Sequence, residues 1–371
     1  MRYYIISGEA SGDLHGSNLM KSIKRLDEKA EFRFWGGDLM AEQGGELVKH
    51  YRDLAFMGFL EVLLNIRTII KNLKFCKNDL LKYRPDALIL IDYPGFNLRI
   101  AEFAKEHDID VHYYISPQVW AWKQSRVKKI KRDVHHMYCI LPFEKDFYLK
   151  HGYTSNFVGH PLIDAIANSA SEGEFRERNG LGDKPIIAVL PGSRKQEITK
   201  MLITMIDMKA HFEDHQLVIA GAPSQELAFY RKLVGESVPI IQNQTYDLLR
   251  NATAAMVTSG TATLETALFG VPEVVCYKAN WISYGIAKRL VKVDYISLVN
   301  LIMEKEAVKE LIQNDFNLEN LKNELNLIVY NDSKRSEILE EFKELKVRLG
   351  GPGASDRTAR LIVSACSVSD E

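Results

Sequence analysis

The sequence predicts two doubly wound α/β domains, and three observations carry that expectation. Short β-rich apolar runs alternate with longer amphipathic stretches through both halves of the 371 residues. Several runs, such as Ala87-Leu88-Ile89-Leu90-Ile91 and Ile186-Ile187-Ala188-Val189-Leu190, are apolar at every position. A parallel strand covered by helices on both faces reads that way. Three of the runs end in turns of glycine and small hydroxyl residues that lead into helical patterns.

In the first half, strands are expected at Arg2–Ser7, Phe32–Trp35, Ala87–Asp92, Val111–Ser116 and Met137–Leu141. Helical patterns at Gly12–Leu26, Asn97–Glu106 and Glu144–Lys150 lie between and after them. In the second half, strands are expected at Ile186–Leu190, Gln216–Ala220, Ala254–Thr258 and Glu273–Tyr277, with helices at Lys195–Phe212 and Thr263–Phe269. A polar cluster of small residues, Asn168-Ser169-Ala170-Ser171-Glu172-Gly173, marks the boundary. The expected domains are residues 1–165 and 166–353. A break at Gly350-Gly351-Pro352-Gly353 precedes a last helix, and residues 354–371 are expected to return to the first domain. That hinge would permit a homodimer by helix exchange.

Composition narrows the class. Hydrophobic residues at 46% and charged residues at 26% argue for a globular chain and against wholesale disorder. Forty-eight Lys and Arg against 49 Asp and Glu leave a net charge of −1, so no global field draws nucleic acid and none is expected as a partner. The four cysteines form no CxxC, which argues against a disulfide framework or zinc ribbon and fits a reducing cytosol. The apolar N-terminal stretch is too short for a signal peptide, and no run of about 18 apolar residues is long enough to span a bilayer. A place on a membrane surface stays open.

Ligands of open parallel sheets sit beyond the carboxyl ends of the strands. After the first strand comes Ser7-Gly8-Glu9-Ala10-Ser11-Gly12-Asp13-Leu14-His15-Gly16, whose glycine spacing is not GxGxxG. It serves either as a tight strand–helix turn or as a close approach for a ligand. In the second half, Pro191-Gly192-Ser193-Arg194 puts free N–H groups, a hydroxyl and a guanidinium at a helix start, which suits phosphate. Lys195 is expected to point to solvent. Ser259-Gly260-Thr261 repeats the pattern, and Glu265, a turn further on, is either a capping acid or an acceptor for a ribose diol. Two anion-ready turns in one domain favour a nucleoside diphosphate, and no P-loop GxxxxGK[ST] is present.

Asp92 ends the most apolar strand of the first half. A carboxylate there is costly to desolvate, and the strand end would put it at the mouth of an inter-domain cleft, ready to take a proton from an attacking hydroxyl. The plainer alternative is a helix cap. Glu9 and His15 are rival bases. Asp108-Ile109-Asp110 has the DxD form of metal-bound sugar nucleotides, but it precedes its strand, as does His135-His136, so both stand at the wrong end of the sheet. No metal and no cofactor are expected.

Leu54–Phe75 holds Phe56, Met57, Phe59, Leu60 and Leu63 among few charges, more apolar than one core-facing stripe requires. Its late part reads as a buried helix and its early part as a surface for acyl chains or the membrane interface. Trp120 and Trp122 open a run with six cations through Arg132, which reads either as a lipid-headgroup surface or as a solvated helix face; nucleic-acid binding, the rival, is weak for one isolated run in a neutral chain with no nucleic-acid motif.

Together these stretches resemble the lipid-A-disaccharide synthase family of bacterial glycosyltransferases. The matching motifs are Ser7–Asp13, Ala55–Val62, Ile91–Asn97, Ser116–Trp122, Leu141–Lys145, Leu190–Arg194, Ser259–Glu265 and Asp294–Leu301, in order over nearly the whole chain. Gly95 stands where other members can carry a second acid, so no catalytic role falls to it. The resemblance implies a GT-B fold, with the two Rossmann-like domains facing across a cleft. It implies transfer from UDP-2,3-diacylglucosamine to 2,3-diacylglucosamine 1-phosphate (lipid X), giving a β(1→6) disaccharide 1-phosphate and UDP with inversion. It also implies Asp92 as base, Arg194 on the diphosphate, Glu265 on the ribose and Asn300 near the nucleotide-sugar. The segment from Phe56 becomes the acyl-binding and docking surface on the cytoplasmic face of the inner membrane. The alternatives are a UDP-sugar 2-epimerase of the same fold and a non-catalytic UDP-sugar or lipid-binding protein.

Overall fold

The two runs that are apolar at every position are central parallel strands. The computed structural model describes residues 1–54, 66–121, 124–169, 173–279 and 294–368. One unit comprises Met1–Ala167 and the chain from Leu349; the other is Asn168–Arg348.

The first unit contains β1 (Arg2–Ser7), β2 (Glu31–Gly36), β3 (Glu46–His50), β4 (Ala87–Ile91), β5 (Val111–Tyr114), β6 (His136–Cys139) and β7 (Asn156–Phe157). They form one parallel sheet in the order β3-β2-β1-β4-β5-β6-β7. Alternation along β4 divides its side chains between two cores. Leu88 and Leu90 pack with Cys76, Leu80, Ile100 and Ile130. Ala87, Ile89 and Ile91 pack with Leu19, Ile23, Ala359 and Ile362. Two of those last residues belong to the helix Ala354–Val368, so the C-terminal helix is part of this unit. Gly350, Gly351 and Gly353 all take positive φ (84°, 65° and 94°) to turn the chain into it. The backbone N–H groups of Gly353 and Ser355 then donate to Asp164.

The second unit contains β8 (Ile186–Leu190), β9 (Gln216–Gly221), β10 (Ile240–Gln242), β11 (Ala252–Thr258), β12 (Glu273–Tyr277) and β13 (Lys309–Ile312). Its parallel sheet runs β10-β9-β8-β11-β12-β13. The helix from Lys195 is regular only to Asp207, and Met208–Ala210 is a tighter turn. Strand order reverses between β1 and β4 in one sheet and between β8 and β11 in the other. The loops leaving those strands therefore flank each sheet's binding crevice.

The strands that sequence periodicity missed are β3, β7, β10 and β13, the four sheet edges. An edge strand packs less completely and lacks the two-faced apolar signature; β3 reads Glu-Leu-Val-Lys-His with no fully buried residue.

Buried polar contacts fix the first sheet as well. Tyr4 donates to Asp79 (2.7 Å), Trp35 Nε1 donates to the Tyr4 hydroxyl (2.8 Å), and Arg33 grips Asp79 through Nε and Nη2 (2.9 and 2.8 Å). We predict that Asp79→Ala, which strands Arg33 and the tyrosine hydroxyl, costs about 3 kcal/mol in urea unfolding. A loss below about 1 kcal/mol would show that solvent replaces the carboxylate.

Candidate active site

In the first unit, the loops after the neighbouring strands β1 and β4 approach closely. An added Cβ on Gly8 would stand 2.5 Å from the Tyr93 ring, so only glycine fits there. Glu9 is the exposed N-cap residue of the helix Ala10–Leu26. Asp13, in the same motif, is structural. Its carboxylate accepts backbone N–H bonds from Gly37 (2.8 Å), Leu39 (3.1 Å) and Met40 (3.0 Å) and so anchors the next helix start.

Asp92 and Tyr93 are consecutive non-glycine residues in the left-handed region, at φ 44° and 49°. Such strain persists only where surrounding bonds enforce it. Here the Asp92 carbonyl accepts from Asn97 Nδ2 (2.7 Å) and the Tyr113 hydroxyl (2.5 Å), and its N–H donates to Tyr114 (3.1 Å). The backbone is clamped by these bonds, none of which uses the carboxylate. Burial, with a smaller push from the Glu9 charge, raises the Asp92 carboxyl to a pKa of about 6.

His15 is buried, and its Nδ1 has no hydrogen-bond partner among the described residues. Burial lowers its pKa to about 4, so it is a neutral imidazole at pH 7. His160, to which sequence reasoning gave no role, is buried too and is lowered to about 3 by burial and by His15. Glu9 and Asp92 therefore share one electrostatic environment, while His15 couples to His160.

In the second unit, a cavity of about 240 Å³ opens at the β8/β11 switch point. Gly192, Ser193, Ser259, Gly260, Thr261 and Glu265 all line it. Gly192 has φ +98°, and a Cβ there would press on Glu197 at 3.1 Å and Thr258 at 3.3 Å. Ser259 Oγ donates to the Ile296 carbonyl (2.9 Å), which anchors the turn. Glu265 accepts from the Tyr246 hydroxyl (3.0 Å), and burial raises its pKa. Arg194 is the N-cap residue of the helix Lys195–Asp207; its side chain is 71% exposed and 3.1 Å from Glu197 Oε1. Lys195 is exposed as expected, its ammonium 5.7 Å from the centroid of the Phe229 ring.

Three expectations need correction. Asn300 is fully buried, and its amide is spent inside the unit: Nδ2 donates to Val308 O and Glu310, and Oδ1 accepts from the N–H groups of Ala307 and Val308. It holds a loop and has no free group for a nucleotide-sugar. Trp120, expected on a lipid-facing surface, is only 9% exposed. Its Nε1 donates to Glu144 (3.2 Å) and its ring meets Phe143 edge-on at 4.8 Å. Phe56, Met57, Phe59, Leu60, Leu63 and Trp122 lie outside the described residues. The late part of that segment is helical as expected, within Ile66–Tyr83, but it is buried on one face only: Asn72 is buried and Leu73 packs on the core, whereas Ile70 is 59% and Phe75 48% exposed. Sequence reasoning also missed Tyr246 and Glu197, which belong to no recognisable motif.

A family model described as lipid-A-disaccharide synthetase matches residues 3–362. The chain is 38% identical over 375 residues to the lipid-A-disaccharide synthase of Syntrophus aciditrophicus, across 99% of this chain and 98% of that protein. The chain belongs to the lipid-A-disaccharide synthetase family. A Coxiella burnetii lipid-A-disaccharide synthase is 36% identical over 363 residues, 96% of each chain. Like the rest of this family, the chain is a glycosyltransferase, and its reaction is lipid A disaccharide synthesis. Among solved structures, the UDP-GlcNAc 2-epimerase of Neisseria meningitidis bound to UDP-GlcNAc superposes with a TM-score of 0.71 at 12% identity, over 98% of this chain and 100% of that one. CalG4, the calicheamicin glycosyltransferase, gives 0.61 at 14%, over 98% of each. At such identities these two show the fold alone, of GT-B type. The family match, and not these likenesses, leaves the 2-epimerase alternative not favoured.

Proposed function

We propose that the first unit of this family member supplies the base and the second holds the UDP moiety of the donor. The Asp92 carboxylate takes the proton of the acceptor's 6-hydroxyl. The freed oxygen pair forms the bond to the donor's anomeric carbon, and the bond from that carbon to the phosphate oxygen breaks. UDP leaves with the electron pair, and the centre inverts. The carrying observation is Asp92 itself: a carboxylate on a strained, clamped turn at a sheet switch point, with its proton affinity raised toward neutrality. Glu265, steered by Tyr246, would accept from the ribose hydroxyls, and the turns at Gly192 and Gly260 would approach the diphosphate through backbone N–H groups.

The donor is UDP-2,3-diacylglucosamine and the acceptor lipid X. Incubation with both, followed by mass spectrometry, should yield the tetraacyl disaccharide 1-phosphate and UDP. Failure to form the disaccharide under conditions where UDP binds would reduce the chain to a binding protein. Tyr246→Phe removes one hydrogen bond to Glu265 and should raise the donor KM about fivefold with little change in kcat. An unchanged KM would separate Glu265 from the ribose.

We also propose peripheral docking on the inner face of the inner membrane. Ile70 and Phe75 are exposed among the exposed cations Arg67, Lys71 and Lys74, a mixture that suits an anionic bilayer surface. Among the described residues no helix is long and apolar enough to cross a membrane. Replacing Ile70 and Phe75 by Ser should weaken co-sedimentation with anionic vesicles about tenfold. Undiminished binding would place the contact elsewhere.

A further inference from the structure

The end of the first sheet opposite Asp92 carries a second constellation. Asp110 immediately precedes β5 and His112 lies within it, two residues on, so both side chains face the same side of the sheet. β5 and β6 are parallel with His112 opposite His136, which puts the second imidazole on that side too. Asp110 Oδ2 is 3.0 Å from His112 Nε2 and 3.6 Å from His136 Nε2. One donor atom from each residue lies within 4.8 Å of the others.

His112 is fully buried, and its Nε2 has no aligned hydrogen-bond partner. Its Nδ1 is 2.9 Å from the Tyr138 hydroxyl, which stands two residues beyond His136 on β6. Where the Tyr138 hydroxyl donates to Nδ1, Nε2–H faces the Asp110 carboxylate; where Nδ1–H donates to the hydroxyl, Nε2 presents a lone pair that a metal ion can take. On the other side, His135 Nδ1 accepts from the Val111 backbone N–H (2.9 Å) and lies 2.9 Å from Asp110 Oδ1, so it borders the carboxylate from outside the set.

We propose that Asp110, His112 and His136 bind one divalent transition-metal ion of the Zn²⁺ class. Two imidazoles and a carboxylate suit Zn²⁺, Co²⁺ or Ni²⁺ better than Mg²⁺ or Ca²⁺. A tetrahedral ion with bonds of about 2.0 Å has ligand–ligand edges of about 3.3 Å, and the separations of 3.0 and 3.6 Å straddle that value. The His136 side chain is 37% and that of Asp110 25% exposed, so an ion can enter and water can take the fourth position. The His136 ring stacks on His112 at 4.7 Å and 15°, so the His136 imidazole has to rotate about its χ2 to aim a lone pair at the ion. The ion ties β5 to β6 far from the strand ends where Asp92 lies, so its work is structural. The sequence objection, that Asp110 and His136 stand at the wrong end of the sheet (Asp110 just before β5, His136 as the first residue of β6), applies to catalysis and not to such a clamp.

The test uses the full chain, stripped with chelator and dialysed. Titration with Co²⁺ alone should give one ion per chain with tetrahedral visible bands, and Zn²⁺ should displace it. Saturating Zn²⁺ should raise Tm by roughly 5–10 °C. His136→Gln, at a partly exposed position, should weaken Zn²⁺ at least about tenfold, and His112→Gln should do the same if it folds. His151→Gln, a surface histidine elsewhere in the unit, should leave binding unchanged. Substoichiometric binding, or His136→Gln binding as tightly as the parent, overturns the proposal and leaves a proton as the cation of the cluster.

Discussion

Asp92→Asn is expected to lower kcat by about 10³-fold while the affinity for UDP stays within about twofold. The substitution preserves shape and the backbone clamp, since that clamp uses the Asp92 carbonyl and N–H. Only the proton acceptor is lost. The pH profile supplies a second readout. A base works deprotonated, so kcat/KM should fall about tenfold per unit as pH drops below the Asp92 pKa of about 6. The Glu9 charge helps to raise that value, so Glu9→Gln should move the acid limb to lower pH. His15, lowered to about 4 by burial, would place the limb near 4 if it were the base. A limb near 4 in the parent enzyme, or a variant at Asp92 that turns over normally, transfers the role away from Asp92.

The central strands were legible because two-sided burial leaves a two-sided apolar run, as in Ala87–Ile91 and Ile186–Leu190, all of whose residues are buried. The edges were not legible because β3 and β7 are partly open to solvent. The glycine turns were legible for a related reason. Close approach and positive φ admit few residue types, so Gly8 and Gly192 announce themselves. Burial direction is a different matter. Trp120 has the composition of an interfacial residue, but a buried acceptor, Glu144, waits for its indole N–H, and nothing in the local sequence says so. Asn300 sits in a family motif, yet a motif position is kept for holding a loop as readily as for holding a ligand. Tyr246 and the Asp110–His112–His136 cluster depend on which elements become neighbours, and only the strand register supplies that.

The second large effect concerns the proposed diphosphate site and has an internal control. Arg194 is mostly exposed and leans on Glu197, whose other oxygen, Oε2, would press on a Cβ at Gly192. If the diphosphate binds here as proposed, the acid competes with it in two ways: it occupies the guanidinium, and it puts negative charge beside the anion. Arg194→Ala should weaken UDP about tenfold in calorimetry, and less at high salt because an exposed charge is screened. Glu197→Gln should do the opposite and tighten UDP about threefold, since it frees Arg194 and lowers the repulsion. In the double variant most of that gain should vanish if Glu197 acts through Arg194. A Glu197→Gln enzyme that binds UDP more weakly would mean that the carboxylate itself accepts from the nucleotide, and that the diphosphate lies against the backbone turns with Arg194 turned to solvent.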